Sequence, residues 1–289
     1  MRNRFTPRQE NLSFSRDVIA ALKTAPVPLV PNLNNDIASA STSWGEFLIR
    51  FQKSLSTEDI HNCLQWSVVK NTMFFENSSV AKLELLEILK NSENPSYWLS
   101  ALTESPVGNP DLMLEMPTTS CNRIHKLHHL WKFEHETGTP LRSFDNFIEI
   151  GAGYGVLPAL SKALGLTGSW TLIDFEIMQA LQKWYLDSNA IGNAQFLTPT
   201  QVTQSVLTKA RSLVISTWAL SEMSVGQREH YLECIQGSSL LLAFHGGSFD
   251  EVDNTLWFSK LVTQDRTRTW SKVAVPGLED QWYLFGVKN

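Results

Sequence analysis

The sequence predicts an α/β protein whose mostly parallel sheet ends in an antiparallel hairpin, with an α-helical domain in front of it. Three observations support this fold class. Apolar runs alternate with helix-like segments in the second half of the chain, which is typical of a parallel sheet. The last two apolar runs flank a turn at Pro276 and Gly277, which is a hairpin signal. The first 140 residues have helical spacing and contain no glycine-rich turn.

The N-terminal domain is predicted to span residues 1–140 and to be helical. Apolar residues recur every three to four positions over Ser43–Leu55, which indicates an amphipathic helix. Three prolines in Ala25–Pro31 indicate an extended linker. We expect further helices at Ser15–Thr24, Val80–Lys90, Pro95–Leu102 and Asn122–Thr137, and one that begins at Thr57. Such a domain would cover a substrate pocket as a lid; the alternative is an oligomerisation domain, which would make the protein a homo-oligomer.

The second domain is predicted to span residues 141–289 and to contain the sheet. We expect buried parallel strands in four short apolar runs, at Phe147–Ile150, Trp170–Asp174, Arg211–Thr217 and Ser238–His245. Helical spacing over Asn254–Asp265 follows. Trp270–Val275 and Gln281–Val287 then form the predicted hairpin.

Three alternating glycines, Gly151, Gly153 and Gly155, follow the first predicted strand. Glycine is used where the backbone adopts positive φ or approaches a ligand without a Cβ in the way. A strand-to-helix turn also offers free N–H groups to that ligand. The fingerprint of NAD-binding proteins is G-x-G-x-x-G, whereas Val156 stands where its third glycine would be. The spacing therefore indicates a nucleoside ligand but disfavours a dinucleotide.

The glycine spacing, with Glu149 two residues ahead of it, resembles motif I of class I S-adenosylmethionine-dependent methyltransferases. The resemblance implies a Rossmann-like core with a seven-stranded sheet and S-adenosyl-L-methionine as the cofactor. In that family the glycine loop holds the methionine portion, and an acid after the second strand binds the ribose. Asp174 stands at that position, and a carboxylate can accept hydrogen bonds from both ribose hydroxyls. Phe175 would then lie beside the adenine, and Trp218 would flank it or stack on a sugar ring. The alternative is a glycine-rich turn in another α/β domain.

A narrower resemblance comes from four segments, namely Asn122–Gly138, Phe147–Gly155, Ile173–Gln182 and Ala219–Met223. Together they are similar to the sugar O-methyltransferase family, over roughly residues 106–247. This resemblance implies methylation of a sugar hydroxyl in glycan or surface-polysaccharide biosynthesis. Two positions depart from the family pattern: Ala152 replaces a frequent glycine, and Ser212 replaces an acid at the start of a strand.

Candidate catalytic residues lie on the His-rich segment and at strand ends. A hydroxyl is a weak acid, so a general base near neutral pH would assist its methylation, and histidine suits that role. His125 and His129 fall on one helix face with Asn122, and His125 is the preferred base; the alternative is a polar, solvated helix. Glu222 and His245 follow strands, where ligands of open α/β sheets bind. A metal site built from His125, His129 and Glu222 has no diagnostic spacing, so no metal is expected.

Composition limits the remaining function classes. The net charge is −5 and no Lys/Arg cluster is present, which disfavours nucleic acid and leaves a small-molecule or glycan substrate. Three scattered cysteines, no signal-peptide pattern and no apolar run of membrane-spanning length indicate a cytoplasmic protein without a membrane span. Three alternatives stay open: a methyltransferase for a natural-product hydroxyl, amine or carboxylate; a non-catalytic scaffold; and, disfavoured by the glycine spacing, a nucleotide-dependent oxidoreductase.

Overall fold

The computed structural model describes residues 27–31, 33, 36, 40, 42–207 and 210–289. The helix predicted at Ser15–Thr24 lies outside these residues, whereas 27–31 of the predicted linker are described and form neither helix nor strand. None of the helices in the described ranges is long and apolar enough to cross a bilayer.

Five α-helices lie in the described part of the N-terminal half. They are α1 (Thr42–Thr57), α2 (Ser67–Met73), α3 (Ser78–Asn91), α4 (Pro95–Leu99) and α5 (Cys121–Thr137), with a 3₁₀ turn at Ile60–Gln65. The predicted apolar stripe of α1 is confirmed, since Phe47, Leu48 and Phe51 are buried. The prediction of a helix that begins at Thr57 is wrong. Thr57 is the last residue of α1, and its hydroxyl donates to the carbonyl of Lys53. The next element is the 3₁₀ turn, and Asp59 is its N-cap.

The second half contains the predicted sheet, which has seven strands. The strands are β1 (Asn146–Ile150), β2 (Ser169–Ile173), β3 (Ala194–Leu197), β4 (Ser212–Thr217), β5 (Ser239–His245), β8 (Arg268–Ala274) and β9 (Gln281–Lys288), while β6 (Ser248–Phe249) and β7 (Val252–Asp253) form a separate small ribbon. The spatial order of the seven strands is β3-β2-β1-β4-β5-β9-β8. Strands β1 to β5 pair in parallel, and β9 pairs antiparallel with both β5 and β8. This topology confirms the predicted Rossmann-like, mostly parallel seven-stranded sheet with a C-terminal antiparallel hairpin.

Five α-helices accompany the strands of the second half. They are α6 (Val156–Ala163), α7 (Glu176–Ser188), α8 (Gln204–Leu207), α9 (Val225–Cys234) and α10 (Asn254–Gln264). Gly155, with φ of 91°, is the N-cap of α6. Asp36 accepts hydrogen bonds from the backbone N–H groups of Glu176 and Ile177, so an N-terminal residue caps α7 where Phe175 offers no side-chain cap.

Helix α5 joins the N-terminal helices to the sheet. Ile124, Leu127, Leu130 and Phe133 are fully buried in one hydrophobic cluster, which contains residues of both halves of the chain. A second cluster covers the opposite face of the sheet with residues such as Ile148 and Val214. Because α5 packs between α3 and the sheet, its polar residues are enclosed rather than solvated: His125, His128 and His129 are buried. The alternative of a solvated, polar helix is therefore wrong for these three histidines.

Candidate functional site

A cavity of about 470 Å³ opens at the carboxyl ends of β1, β2 and β4. This volume falls within the roughly 300–1,000 Å³ typical of small-molecule pockets. The sheet supplies one wall and the N-terminal helices supply the other, with Trp44, Met73 and Phe75 among the lining residues. Nine of the predicted site residues line this cavity: His125, Glu149, Gly151, Gly153, Asp174, Phe175, Trp218, Glu222 and His245. Gly155 and His129 do not line it.

The glycine loop requires glycine for two different reasons. Gly151, Gly153 and Gly155 all have positive φ, a conformation in which a Cβ is strained. At Gly151 an added Cβ would also overlap the Cβ of Ala219, so no side chain fits there. At Gly153 an added Cβ would face Met73 at 3.8 Å, across the cavity. The backbone of the loop is therefore exposed to whatever occupies the cavity.

Asp174 follows β2 and is held by two hydrogen bonds. Its Oδ1 accepts from the backbone N–H of Phe175 at 2.9 Å, and its Oδ2 accepts from Nε2 of Gln182 at 2.9 Å. The same Gln182 amide donates to the carbonyl of Gly153 at 3.0 Å, which ties the carboxyl to the glycine loop. Burial raises the pKa of Asp174 to about 7, against the opposing effect of these hydrogen bonds. Phe175 lies next to it in the lining.

Glu149, on β1, and Lys126, on α5, bring an acidic and a basic side chain to the cavity wall. Glu149 is 4% exposed, and its Oε2 has no hydrogen-bond partner among the described residues. Burial raises its pKa to about 8, while the charge of Lys126 opposes that rise. The ammonium of Lys126 donates to Oγ1 of Thr217 at 3.4 Å and lies 5.5 Å from the ring centroid of Trp218.

His125 lines the cavity, and its ring has a fixed orientation. Its Nδ1 lies 2.7 Å from Oε1 of Glu84, a residue of α3 with no exposed surface. The ring stacks on Phe75, with centroids 4.0 Å apart, and faces Trp218 at 5.5 Å. Burial lowers the pKa of His125 well below its ordinary value, which favours the neutral ring. When Nδ1 carries the proton and donates it to Glu84, the Nε2 lone pair is available to accept another proton.

His129 lies one turn further along α5 and is oriented differently. Its Nδ1 lies 2.7 Å from the hydroxyl of Tyr283 on β9, and its Nε2 has no partner among the described residues. Burial lowers the pKa of His129 well below its ordinary value. The ring also contacts His125 and Trp218, but His129 itself does not line the cavity, so its position gives no support for a catalytic role.

Trp218, Gln281, His245 and Glu222 form a chain of hydrogen bonds along the cavity. The indole Nε1–H of Trp218 donates to Oε1 of Gln281, and Nε2 of Gln281 lies 2.8 Å from Nδ1 of His245. An indole N–H can only donate, so the Gln281 amide has one orientation, and it donates to Nδ1 of His245. His245 then carries its proton on Nε2, which lies 3.3 Å from Oε1 of Glu222. Both ring nitrogens of His245 are therefore engaged, which leaves the carboxylate of Glu222 as the acceptor that faces the cavity.

The sequence did not indicate four residues of this site: Glu84, Lys126, Gln182 and Gln281. The partners of Glu84, Lys126 and Gln281 lie far away in sequence. Gln182 lies eight positions beyond its partner Asp174, within an ordinary amphipathic helix. Of the four, only Lys126 lies in a segment that the sequence had singled out, because it follows His125 in the His-rich segment. Across the described residues, no three His, Cys, Asp or Glu side chains are grouped so as to hold a metal ion.

Comparison with known proteins gives distant structural likenesses. No protein-family model matches the chain, and no curated protein matches its sequence. The chain is similar to a SAM-dependent methyltransferase from Aquifex aeolicus, at 17% identity and a TM-score of 0.39, covering 54% of this chain and 96% of that one. It is also similar to an rRNA methylase from Streptococcus thermophilus, at 12% identity and a TM-score of 0.43, covering 56% and 96%. A third similar structure is a precorrin-6y C5,15-methyltransferase from Geobacter metallireducens GS-15, at 13% identity and a TM-score of 0.41, covering 58% and 89%. Since these TM-scores are below 0.5, the function proposed below rests on the sheet topology and the cavity.

Proposed function

We propose that this protein is an S-adenosyl-L-methionine-dependent O-methyltransferase that methylates a hydroxyl of a sugar or glycan intermediate. One observation carries the proposal: a single cavity contains the positive-φ glycine loop, the Asp174 carboxyl and the His125 ring. The first two suit a nucleoside, and the third is a base oriented by Glu84. The sheet topology places them at the strand ends, where ligands of such sheets bind.

The residues of the cavity fit this cofactor. Gly151 and Gly153 line the cavity without a side chain, so the loop backbone can approach a ligand directly. Asp174 lies in the cavity wall with its carboxyl held in place by Gln182, and its oxygens can accept from the two ribose hydroxyls. Phe175, Met178 and Pro199 provide apolar lining for a flat base. We assign these residues to cofactor binding together with Glu149, Gly153 and Trp218; Gly155 shapes the loop as the N-cap of α6.

The catalytic role falls to His125. The cofactor, when bound, supplies an electrophilic methyl group, and the protein must align the acceptor oxygen and take its proton. Positioning accounts for much of the rate of such a displacement, because oriented reactants have large effective molarities. His125 accepts the hydroxyl proton at Nε2, and the carboxylate of Glu84 stabilises the resulting imidazolium through Nδ1. Phe75 keeps the ring from rotating away.

The acceptor assignment rests on the polar groups around Trp218 and on the family resemblance. Glu222 offers an oxygen to a second hydroxyl, and its orientation is maintained by His245 and Gln281. A sugar carries neighbouring hydroxyls that can meet both His125 and Glu222. The net charge of −5 disfavours nucleic acid as the acceptor.

A second acceptor class is supported by a specific feature of the lid. Trp44, Met73 and Phe75 give the N-terminal wall an apolar character that also suits a natural-product or other small-molecule hydroxyl. In both cases residues 1–140 act as the lid and substrate domain and residues 141–289 as the cofactor domain. A cytoplasmic location remains part of the proposal, with Cys63, Cys121 and Cys234 all free thiols.

Two experiments test the proposed function in sequence. A thermal-shift comparison should show stabilisation by S-adenosylmethionine and by S-adenosylhomocysteine but none by NAD(H), since a ligand that binds the folded state raises the melting temperature. Stabilisation by NAD(H) alone would favour the oxidoreductase alternative.

Mass spectrometry on a panel of nucleotide sugars, glycans and natural-product alcohols should then find a product heavier by one methylene. A product formed only from natural-product alcohols would move the acceptor to the second class.

A further inference from the structure

A row of acidic and basic side chains continues from Glu84 toward the surface, between α3 and α5. Nδ1 of His128 lies 3.7 Å from Oε1 of Glu84, and its Nε2 lies 2.9 Å from Oε2 of Glu87. The ammonium of Lys132 lies 2.7 Å from Oε1 of Glu87 and 2.9 Å from Oε1 of Glu136. Glu84 and His128 have no exposed surface, whereas Glu87 and Glu136 are partly exposed. Of these five residues, the proposed chemistry uses Glu84 alone.

The charge state of Glu84 decides which nitrogen of His125 carries the ring proton. A carboxylate can only accept a hydrogen bond, so Nδ1 of His125 then carries the proton and Nε2 keeps its lone pair. A protonated Glu84 donates to Nδ1 instead, and the neutral ring then carries its proton on Nε2. In that second form His125 cannot take a proton from an acceptor hydroxyl.

The negative charge of Glu84 has little support from hydrogen bonds. Its Oε1 accepts from His125, and its Oε2 is enclosed with no partner among the described residues. Burial raises the pKa of Glu84 to about 7; the charges of His128 and Lys126 oppose that rise, and the charge of Glu87 adds to it. Apart from His125, His128 is the basic side chain within ion-pair distance of Glu84 in the described ranges. A buried carboxylate of this kind needs a nearby cation to stay ionised.

The hydrogen bonds of His128 are compatible with two proton arrangements. In both, Nε2 donates to Glu87, which stays ionised because hydrogen bonds from His128 and Lys132 outweigh burial and lower its pKa to about 2. Nδ1 of His128 lies 3.2 Å from the hydroxyl of Tyr283, which lies 2.7 Å from Nδ1 of His129. When Nδ1 of His128 bears a proton, Tyr283 accepts from it and donates to His129; otherwise Tyr283 donates to His128 and accepts from His129. The two carboxylates beside His128 favour the first arrangement, because opposite charges nearby stabilise a charged ring.

We propose that His128 is a positioning residue: as an imidazolium held by Glu87, it keeps Glu84 ionised and thereby keeps the proton of His125 on Nδ1. This inference rests on the proposed function and deepens it, since it accounts for how the base stays ready to accept a proton at neutral pH. His128 does not line the cavity, so it acts through Glu84 rather than on the ligands. Lys132 fixes the far side of Glu87 and so completes the support.

Long-range ¹H–¹⁵N spectra of ligand-free protein with labelled histidine test the proposal without an acceptor. In the wild-type protein at neutral pH, His128 should be protonated on both nitrogens and His129 on Nε2 alone. The proton of His125 should move from Nε2 to Nδ1 as pH rises, with a midpoint at the Glu84 pKa of about 7. His128→Gln keeps a polar side chain but removes the charge, so it should raise that midpoint by about 1–3 pH units, the effect of a nearby opposite charge.

A matched control and the wild-type spectra keep the outcome decisive. His135→Gln changes an exposed histidine of the same helix and should leave the His125 midpoint at its wild-type value. Each histidine signal is assigned by its loss in the corresponding variant. A His128→Gln midpoint equal to that of wild type would overturn the proposal.

The wild-type spectra decide alone if His128→Gln does not fold. A doubly protonated His128 supports the proposal, whereas a neutral His128 beside a His129 protonated on Nδ1 overturns it. Failure of the proposed function is a separate result: a protein that does not bind S-adenosylmethionine in calorimetry would refute that function and leave these ligand-free spectra unchanged.

Discussion

Nδ1 of His125 lies 2.7 Å from Oε1 of Glu84, a carboxyl that is completely enclosed by protein. The two residues are 41 positions apart and meet because α3 packs against α5. Only the His125 side of the pair lines the cavity. The arrangement leaves Nε2 of the imidazole free while Nδ1 is engaged, which is the geometry that a general base requires.

Replacing His125 should separate catalysis from binding. We expect His125→Ala to reduce kcat about 10²- to 10⁴-fold, the usual contribution of a positioned base. Its Kd for S-adenosylmethionine should stay within about twofold of wild type, since Asp174 and the glycine loop are untouched. Steady-state kinetics with the acceptor found by mass spectrometry, together with calorimetry, measure both quantities. Full activity in His125→Ala would remove it from the catalytic site.

The pH dependence of turnover should report on Glu84. Burial raises the pKa of Glu84 to about 7, and only its carboxylate form accepts the Nδ1 proton while stabilising the imidazolium. We therefore expect kcat to rise with pH through the neutral range. Glu84→Gln keeps an acceptor oxygen but cannot titrate, so it should lower kcat and flatten this rise. A Glu84→Gln variant with the wild-type pH profile would show that Glu84 does not act through His125.

Gly151 should tolerate no side chain. An added Cβ would clash with Ala219 and would have to adopt a φ of 73°, a strain of about 1–3 kcal/mol from the backbone alone. We expect Gly151→Ala to lower the melting temperature by several degrees and to weaken S-adenosylmethionine. Gly237→Ala is the matched control, because its Cβ would meet no atom within 4 Å. Equal melting curves and affinities for the two variants would contradict the assigned role of the loop.

Glu149 should reduce the stability of the ligand-free protein at high pH. Burial raises its pKa to about 8 from an ordinary value of 4.5, so between these pH values the folded state keeps a proton that the unfolded state releases. The free energy of unfolding therefore falls as pH rises through this window. Glu149→Gln should melt at a higher temperature than wild type at pH 8, by a few degrees, and the difference should shrink toward pH 5. The exposed control Glu229→Gln should show no such trend, and a Glu149→Gln protein less stable than wild type at pH 8 would contradict the expectation.

The hydrogen-bond chain from Trp218 predicts the tautomer of His245. Since Gln281 donates to Nδ1, the ring proton should reside on Nε2, facing Glu222. Long-range ¹H–¹⁵N spectra of protein with labelled histidine should show this tautomer at neutral pH, with the signal assigned by its loss in His245→Asn. In Gln281→Leu we expect a mixture of tautomers. A wild-type His245 protonated on Nδ1 would contradict the chain.

The sequence was informative wherever a structure depends on neighbouring residues. The glycine loop, six of the seven sheet strands and the Pro276-Gly277 hairpin follow from local backbone preferences and apolar runs, and these predictions of the fold are confirmed. The edge strand β3 (Ala194–Leu197) was not predicted. Contacts between residues that are far apart in sequence could not be predicted from such local patterns. Helical periodicity predicted that His125 and His129 lie on one face of the helix. His129 lies four residues further along, however, and its ring is directed toward Tyr283 in the hairpin. Glu84 and Gln281 have no motif around them, because only packing brings them to the cavity.

Calorimetric titration of S-adenosylmethionine into the wild-type protein and into Asp174→Ala tests the central claim most directly. Asp174 lies in the cavity wall, fixed by Phe175 and Gln182, and burial raises its pKa to about 7. The wild-type protein should bind with an affinity that increases as pH rises from about 6 to 8, because only the carboxylate accepts from both ribose hydroxyls. Asp174→Ala should remain folded by circular dichroism and show no measurable binding. Unchanged affinity in that variant would contradict the assignment of this cavity to S-adenosylmethionine.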